Sequence, residues 1–315
     1  MSWADEPEEY RAEGFEELRP LLFSIAYRIL GSVSEAEDAV QETWLRYAAT
    51  DTVPRSPKAY LSAAITRVSI NVLGSARVRR EEYVGEWFPE PLLDDPYLDP
   101  ERSTELADSV SMAALLLLEQ LSPLERAVFV LREVFGFDYT DIAVTIGRSE
   151  STCRQLAVRA RRHMEAGRPR FEASRRDREE LAARFFTAIT DGDVDGLQTL
   201  LAADVQIAGD SGGKAPSLAR AVTGAKRAAR LLASAGPVFA RIGLTHEPHS
   251  INGQAGAIGR DSAGRVVHAL MLDIRDGQIQ YIRTVNNPDK LAHLGPVSNA
   301  WAVRDDFQRA RRNMR

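Results

Sequence analysis

Apolar side chains recur at helical spacing over residues 15–163. The pattern predicts helices over Phe15–Leu30 and Lys58–Glu81, with another helix between them. Ser34 is predicted to cap that middle helix, because Glu37 follows three residues later as in a capping box. This part of the chain is therefore predicted to consist of helices.

A second group of helices is predicted beyond a proline-rich stretch. Prolines at positions 89, 91, 96 and 100 exclude a continuous helix there, so residues 84–103 are interpreted as an extended acidic linker. Helix resumes over Ser103–Leu121. Ser122 then begins a further helix, with Glu125 at its third position.

The stretch from Asp138 to His163 has the pattern of two short helices separated by a tight break. Asp138 is predicted to cap the first helix, and Gly147 to end it, because glycine adopts a left-handed turn at little cost. Ser149 is predicted to cap the second. The pattern is typical of a helix-turn-helix, whose second helix enters the major groove of DNA. A helical hairpin with a solvated arginine face is the alternative.

Beyond residue 174 the pattern changes to helices followed by strands. The predicted helices are Arg175–Thr190, Val194–Leu201 and Leu218–Ala233, and the predicted strands are Val238–His246, Gln254–Arg260, Arg265–Arg275 and Gln278–Asn286. Asn252-Gly253 and Asp276-Gly277 are hairpin signals. This order predicts an α+β domain with an antiparallel meander, whose sheet wraps into a cone around a pocket.

Length and composition narrow the class of protein. The 315 residues indicate two or three domains. The single cysteine, Cys153, excludes an internal disulfide and fits a reducing cytosol. The acidic N-terminus lacks the apolar run of a signal peptide, and the longest apolar run, Met112–Leu118, is too short to cross a bilayer. A cytoplasmic protein with no membrane partner is predicted.

Charge is distributed unevenly along the chain, whose formal net charge is −5. Residues 148–178 carry ten arginines against four acids, whereas residues 81–108 carry ten acids against one arginine. Such local asymmetry matters more to a polyanionic partner than the sum over the chain. The acidic stretch is interpreted either as a mimic of RNA or as a disordered spacer.

Together these segments resemble the extracytoplasmic-function sigma factors of bacterial RNA polymerase. Residues 14–83 resemble sigma domain 2, through SEAEDAVQETWLR and KAYLSAAITRVSINVLGSARVRRE. Residues 104–168 resemble sigma domain 4, through SPLERAVFVLREVFGFDYTDIA and SESTCRQLAVRARR. The resemblance implies a fold of two all-α sigma domains, the second with the helix-turn-helix. It implies that the protein binds core RNA polymerase and directs it to promoter DNA.

The C-terminal part narrows the resemblance further. Residues 175–294 resemble a SnoaL-like cone domain, which one sigma-factor group carries, and residues 295–315 form an Arg-rich tail. That group's WLPEP-type, DGGGK-type and NPDKL motifs appear here as WFPEP, DSGGK and NPDKL. The regulatory contacts so implied are Trp87, Phe88, Pro89, Glu90, Pro91, Asp210, Lys214, Asn287, Pro288, Asp289, Lys290 and Leu291. A fused regulatory domain also implies that no separate anti-sigma factor is required.

Candidate DNA contacts follow from the resemblance and from the chemistry of the side chains. Base contacts to the −35 element are predicted for Ser151, Thr152, Arg154 and Gln155, and phosphate contacts for Arg148, Arg159 and Arg162. Contacts to the −10 element are predicted for Tyr60, Arg67, Asn71, Arg77, Arg79 and Arg80. Tyr60 as an ordinary core residue remains the alternative.

Asp38, Gln41 and Glu42 are candidates for contacting core polymerase, with a solvated helix face as the alternative. For the C-terminal domain two classes stay open, a regulatory module with room for a small ligand and an acid/base enzyme. The ionisable groups available to an enzyme are Asp204, Asp210, His246, His268 and Asp273. Their spacing specifies no chemistry, so no catalytic residue, metal or cofactor is predicted. The alternative for the whole chain is a DNA-binding regulator that does not engage polymerase.

Overall fold

The computed structural model describes residues 8–50, 54–97, 110–166, 175–218 and 220–314, without the side chains of residues 8–10, 76–81, 166 and 175. The chain forms two compact units. The first contains residues 1–82 and 94–168, and the second contains residues 83–93 and 169–315. The short stretch 83–93 thus belongs to the second unit, although its sequence neighbours on both sides belong to the first.

The described part of the first unit is helical, as predicted. Its helices are α1 (Glu8–Leu30), α2 (Val33–Ala48), α3 (Pro57–Glu81), α4 (Met112–Glu119), α5 (Pro123–Phe129), α6 (Tyr139–Ile146) and α7 (Glu150–Ala166). A π-helical turn over Val130–Val134 continues α5. Leu22, Ile25 and Ile29 of α1 are fully buried, where α1 packs on α2 and α3.

Two of the four predicted helix caps differ from the structure. Ser32, not Ser34, caps α2, because the chain turns at Gly31 (φ 69°) and the helix begins earlier. The Ser32 hydroxyl accepts the N–H of Glu35 at 3.1 Å. Asp138 occupies the N-cap position of α6, but its side chain makes no capping hydrogen bond.

The predicted start of α5 is confirmed. The Ser122 hydroxyl accepts the N–H of Glu125, and the Glu125 carboxylate accepts the N–H of Ser122 at 3.2 Å. This reciprocal capping box satisfies two backbone donors that the first turn of a helix leaves unpaired. The hydrogen bond from the Ser122 hydroxyl contributes most to lowering the pKa of Glu125.

A buried ion pair links α1 to the linker. Arg28 and Asp95 are 0% and 1% exposed, and Arg28 Nη1 lies 2.8 Å from Asp95 Oδ2. The Ser24 hydroxyl donates to the same oxygen at 3.0 Å. Burial lowers the pKa of Arg28, and the charge of Asp95 opposes that shift.

The second unit is a helix-covered mixed sheet. Its elements are α8 (Arg175–Asp191), α9 (Val194–Leu200), β1 (Leu201–Asp210), β2 (Val222–Thr223), α10 (Ala225–Arg241), β3 (Thr245–Ile251), β4 (Gln254–Arg260), β5 (Val266–Arg275), β6 (Gln278–Val285) and α11 (Ala300–Arg312). The strand order is β2-β1-β6-β5-β4-β3. Only the β1–β6 pair is parallel among these strands.

Both predicted hairpins are present, but three predictions for this unit are wrong. The range Val238–His246 is not a strand, because α10 continues through Arg241 and β3 begins at Thr245. Strand β1 was not predicted, and its parallel pairing with β6 makes the sheet more than an antiparallel meander. Helix α10 starts at Ala225 rather than at Leu218.

Helices α8 and α10 pack closely on each other. Gly236 lies inside α10, where a Cβ atom would fall 1.8 Å from the carbonyl oxygen of Ile189 in α8. The two helices therefore approach at a point where only glycine fits. Within the Arg-rich tail, α11 packs the ring of Phe307 against Phe239 at 4.8 Å.

Candidate functional site

The helix-turn-helix forms where it was predicted. Helix α6 ends at Gly147, which adopts the left-handed conformation (φ 64°). The Ser149 hydroxyl then accepts the N–H of Thr152 at 3.2 Å and caps α7. Cys153, Leu156, Ala157 and Ala160 form the buried face of α7. Burial raises the pKa of the Cys153 thiol.

The opposite face of α7 carries the residues predicted to contact the −35 element. Arg148, Ser151, Arg154, Gln155, Arg159 and Arg162 are exposed, and Thr152 is half-buried. Two of these arginines form ion pairs within the protein. Arg154 lies 2.9 Å from Glu150, and Arg159 lies 3.0 Å from Glu125. The face is therefore basic, with part of its charge already compensated.

The residues predicted to contact the −10 element divide into three groups. Tyr60 is 38% exposed, and its ring lies 6.0 Å from that of Tyr47. Asn71 is exposed on α3. Arg77, Arg79 and Arg80 belong to α3, but their side chains lie outside the described part of the structure.

Arg67 has a role that the sequence did not predict. Its Nε donates to the carbonyl of Thr145 and its Nη2 to the carbonyl of Val144, both at 2.8 Å. These carbonyls belong to the last turn of α6, which has no helical donors of its own for them. The helix assigned to the −10 element therefore packs directly on the helix-turn-helix, around a cleft of about 320 Å³.

Helix α2 presents the residues predicted to contact core polymerase. Asp38, Gln41 and Glu42 are all exposed, and Glu42 forms an ion pair with Arg46. Leu45 extends the same stripe and is 60% exposed. The i, i+3, i+4, i+7 spacing was the signal that would have identified Leu45 as part of this surface.

The linker motif docks on the C-terminal domain through Asp210. This carboxylate is fully buried and accepts hydrogen bonds from the Tyr83 hydroxyl and from the backbone N–H of Phe88, the latter at 2.7 Å. Lys290 Nζ lies 2.6 Å from Asp210 and also donates to the carbonyl of Phe88. The ammonium lies 4.2 Å from the centroid of the Trp87 ring, a cation–π contact.

Further contacts hold the rest of the docked segment, residues 83–93, which we call the clasp. Asn252 forms two hydrogen bonds with Leu92: its backbone N–H donates to the Leu92 carbonyl at 2.7 Å, and its side-chain Oδ1 accepts the backbone N–H of Leu92 at 3.1 Å. His293 Nε2 donates to the carbonyl of Pro91 at 2.6 Å, and Asn287 donates to the Tyr83 hydroxyl at 2.8 Å. Tyr83, Asn252 and His293 were not predicted.

The remaining predicted regulatory residues lie in the same region. Phe88, Pro89, Glu90 and Pro91 are buried. Lys214 pairs with Asp289 at the surface, Pro288 begins a 3-10 turn, and Leu291 is fully buried. Burial, followed by the hydrogen bond to Asp210, raises the pKa of Tyr83 above its ordinary value. Tyr83 therefore remains a neutral donor.

The candidate catalytic groups do not gather at one place. Asp210 belongs to the clasp site, and Asp273 pairs with Arg275 at 2.8 Å. His246 and His268 form a pair, with their Nε2 atoms 3.2 Å apart across Gly259 of the intervening strand. Burial lowers the pKa of both rings, and the neighbouring His246 contributes to bringing that of His268 to about 3. Among the described residues, no group of three or more His, Cys, Asp or Glu side chains is arranged to hold a metal.

A groove opens beside this histidine pair. It has a volume of about 530 Å³ and lies between α8 and the β3–β4 hairpin. Arg178, Phe186, Thr187, His249, Ser250 and Ala255 are among its lining residues. Phe186 also stacks on His246, with ring centroids 5.6 Å apart. The groove thus combines an apolar wall with a few polar groups, as small-molecule sites do.

Comparison with known proteins defines the class. The profile described as Sigma-70 region 2 matches residues 15–79, and that described as Sigma-70, region 4 matches residues 111–164. The ECF RNA polymerase sigma factor SigJ of Mycobacterium tuberculosis is 37% identical over 291 residues, covering 88% of this chain and 91% of SigJ. The probable ECF RNA polymerase sigma factor SigI of the same organism is 35% identical over 201 residues, covering 61% of this chain and 66% of SigI.

The fold agrees with these matches. The crystal structure of SigJ superposes with a TM-score of 0.69 at 33% identity, covering 89% of this chain and 98% of that one. The chain belongs to the ECF sigma factors of RNA polymerase. The expected class and fold are confirmed, and the protein is a non-enzymatic transcription initiation factor whose partners are core polymerase and promoter DNA. The described part of the chain contains no helix long and apolar enough to cross a membrane.

Proposed function

We propose that the exposed face of α7 selects the −35 element and that α3 selects the −10 element. The single observation that carries this proposal is the face of α7, which exposes Arg154, Gln155 and Arg162 away from a packed stripe. Residues near the start of a recognition helix reach base edges, and later arginines reach phosphates. Full-length protein added to purified core polymerase should confer selective initiation on promoters from a genomic library, and failure to do so would contradict the proposal.

The two DNA-binding modules cannot read separated promoter elements while α3 packs on α6. Nε and Nη2 of Arg67 are bound to carbonyls of α6, so these two nitrogens cannot contact DNA in this arrangement. We infer that α3 and α6 must separate before both elements are bound. Fluorophores placed on exposed positions of α3 and α7 should move apart when core polymerase and promoter DNA are added, and an unchanged separation would contradict this opening.

Core polymerase is proposed to bind the stripe of Asp38, Gln41, Glu42 and Leu45. Its acids suit a basic surface, and its exposed leucine supplies apolar contact area. Asp38→Lys combined with Glu42→Lys should abolish co-purification with core polymerase. Glu16→Lys combined with Glu17→Lys, at exposed sites on α1, is the control with the same charge change. Equal binding by both double variants would remove the assignment.

The C-terminal domain is proposed to regulate initiation by holding the clasp, without a separate anti-sigma factor. The support is the number of buried, charge-assisted contacts that residues 83–93 make to it. Truncation after residue 168 should change transcription with core polymerase, and truncation after residue 294 should change it differently, because only the first removes the clasp's partners. Identical output from all three proteins would contradict the proposal.

We propose that the groove beside α8 binds a small molecule. We also propose that the protein is cytoplasmic. The support is its volume and its mixed lining, with Arg178 at the rim and Phe186 in the wall. The dye 1-anilinonaphthalene-8-sulfonate, which joins an apolar body to one anionic group, is a suitable probe. Its fluorescence with folded full-length protein should fall in Ala183→Trp, which fills the groove, and should be unchanged in Ala302→Trp on α11.

A further inference from the structure

Tyr139, the first residue of α6, lies beside two arginines of the helix-turn-helix. The guanidinium carbon of Arg154 is 5.0 Å from the centroid of its ring, and that of Arg132 is 4.9 Å away. Both distances fall within the range of cation–π attraction. Nothing in the sequence pattern singled out Tyr139, because it belongs to neither the buried stripe nor the basic face.

Arg154 is held from a second direction as well. Its Nη2 donates to Glu150 Oε2 at 2.9 Å, and the other oxygen of that carboxylate accepts the hydroxyl of Thr140 at 2.9 Å. Thr140 adjoins Tyr139 at the start of α6. Two residues at the start of α6 therefore hold the Arg154 guanidinium. Tyr139 contacts it through its ring, and Thr140 orients the Glu150 carboxylate that binds it.

The second arginine does not compete for the same partners. Arg132 donates to the carbonyl of Phe137 at 2.8 Å and lies 3.4 Å from Asp138. Each guanidinium near the ring thus has its own oxygen acceptors, which reduces the repulsion between the two cations. The Tyr139 ring can stay in contact with Arg154 without Arg132 being displaced.

This arrangement matters because a free arginine side chain samples many rotamers. Ordering it at a base edge costs conformational entropy, and a side chain ordered in advance loses less on binding. We infer that Tyr139 is a positioning residue for promoter recognition, which holds Arg154 in the orientation that reads its base. The inference rests on the proposed base contact of Arg154.

The test is selection of bound sequences from randomised duplex DNA, using full-length protein assembled with core polymerase. Arg154→Ala should abolish the preference at one base position of the −35 motif. Tyr139→Leu should weaken the preference at that same position roughly three- to tenfold, the range expected for loss of one cation–π contact. Tyr139→Phe keeps the ring and should restore the wild-type preference.

Two further variants separate positioning from a structural role. Arg162→Ala removes an exposed arginine proposed to contact phosphate and should weaken all sequences equally. Glu150→Ala removes the carboxylate that binds Arg154 and should weaken the preference at the same base position as Tyr139→Leu does. It also provides the test if Tyr139→Leu does not fold, as judged by its circular dichroism and Tm.

The outcomes distinguish the two proposals. If Arg154→Ala leaves the motif unchanged, the base contact itself is wrong and the proposed function of this residue fails. If Arg154→Ala abolishes one preference but Tyr139→Leu and Glu150→Ala leave it intact, the positioning role is overturned and the base contact stands. A Tyr139→Leu effect spread equally over all sequences would also overturn the positioning role.

Discussion

Two buried carboxylates, Asp95 and Asp210, tie neighbouring parts of one linker to different units. Asp95 belongs to the linker itself and reaches Arg28 in α1 at 2.8 Å. Asp210 belongs to the C-terminal domain, and so does its cation, Lys290, at 2.6 Å. To that second pair the clasp adds the Tyr83 hydroxyl, the backbone N–H of Phe88 and the Trp87 ring.

The difference determines what happens when each contact opens. If the clasp leaves the C-terminal domain, Asp210 and Lys290 keep each other as partners. If Asp95 leaves the first unit, Arg28 stays buried without its carboxylate. An uncompensated buried charge is costly, whereas an intact ion pair is much less so. Detaching residues 83–93 from the C-terminal domain should therefore cost less free energy than detaching Asp95 from Arg28.

The largest expected effect is that of Asp95→Ala. Removing one partner of a buried ion pair should lower the free energy of unfolding of the first unit by about 3–5 kcal/mol. Chemical denaturation, followed by hydrogen exchange of α1 amides, measures it. Asp94→Ala removes an exposed neighbouring acid and should change stability by less than about 0.5 kcal/mol. Equal losses of stability in Asp95→Ala and Asp94→Ala would contradict the predicted difference between the Asp95 contact and the clasp.

Lys290→Met should have the second largest effect on stability. Asp210 would lose its cation but keep donors from Tyr83 and Phe88, so we expect a loss of about 2–3 kcal/mol in the second unit. Protease cleavage within residues 83–93 should increase at the same time. The control is Lys214→Met, at an exposed ion pair with Asp289 worth about 1 kcal/mol or less. Unchanged cleavage in Lys290→Met would contradict the claim that Lys290 holds the clasp.

Acid should distinguish the two units. His268 has its pKa lowered to about 3 by burial and by His246, whereas in the unfolded chain it takes up a proton near its ordinary 6.5. Unfolded protein therefore binds more protons between these values, and the stability of the second unit should fall as pH drops from about 6.5 towards 3. The slope should be about 1 kcal/mol per pH unit.

Hydrogen exchange of β4 and β5 amides at several pH values measures that slope. His268→Gln should flatten it, and His249→Gln, at a half-buried position of the groove, should not. The first unit contains only the exposed His163 among the histidines of the chain. An equally steep histidine-dependent slope in the first unit would therefore contradict the assignment.

The smallest expected effect is that of Tyr83→Phe. It removes one hydroxyl that donates to Asp210 and accepts from Asn287, so docking of the clasp should weaken by about 1 kcal/mol. Exchange of the backbone N–H of Phe88 should then be roughly fivefold faster, since a 1.4 kcal/mol change is tenfold in an equilibrium constant. Tyr281→Phe, at another half-buried tyrosine of this unit, should not alter it.

Local patterns predicted the features whose causes are local. Gly147, Ser149 and the Ser122–Glu125 pair mark helix ends, because backbone geometry there depends on one or two side chains. The turn at Asn252-Gly253 was equally visible, since both residues adopt positive φ angles (53° and 68°). The family resemblance supplied the two DNA-binding modules and the regulatory motifs.

Contacts between distant residues were not predictable in this way. The partners Arg28 and Asp95 lie 67 positions apart, and Asn252 binds Leu92 across 160 positions. The periodicity of apolar residues does not indicate which buried groups contact each other. Strand β1 was missed because its pairing with β6 is likewise long-range, and the extension of α10 was missed because Val238 and Phe239 read as a strand.

The clasp also sets a length. It comprises the eleven residues Tyr83–Leu93, which, when extended, cover roughly 36–40 Å at about 3.3–3.6 Å per residue. At about 3.4 Å per base pair this equals about eleven base pairs of DNA. While residues 83–93 are bound, the distance between their ends is fixed, so this segment cannot lengthen or shorten the chain joining the two DNA-binding modules. Binding and release of this segment would thus change the range of promoter spacer lengths that a single protein accommodates.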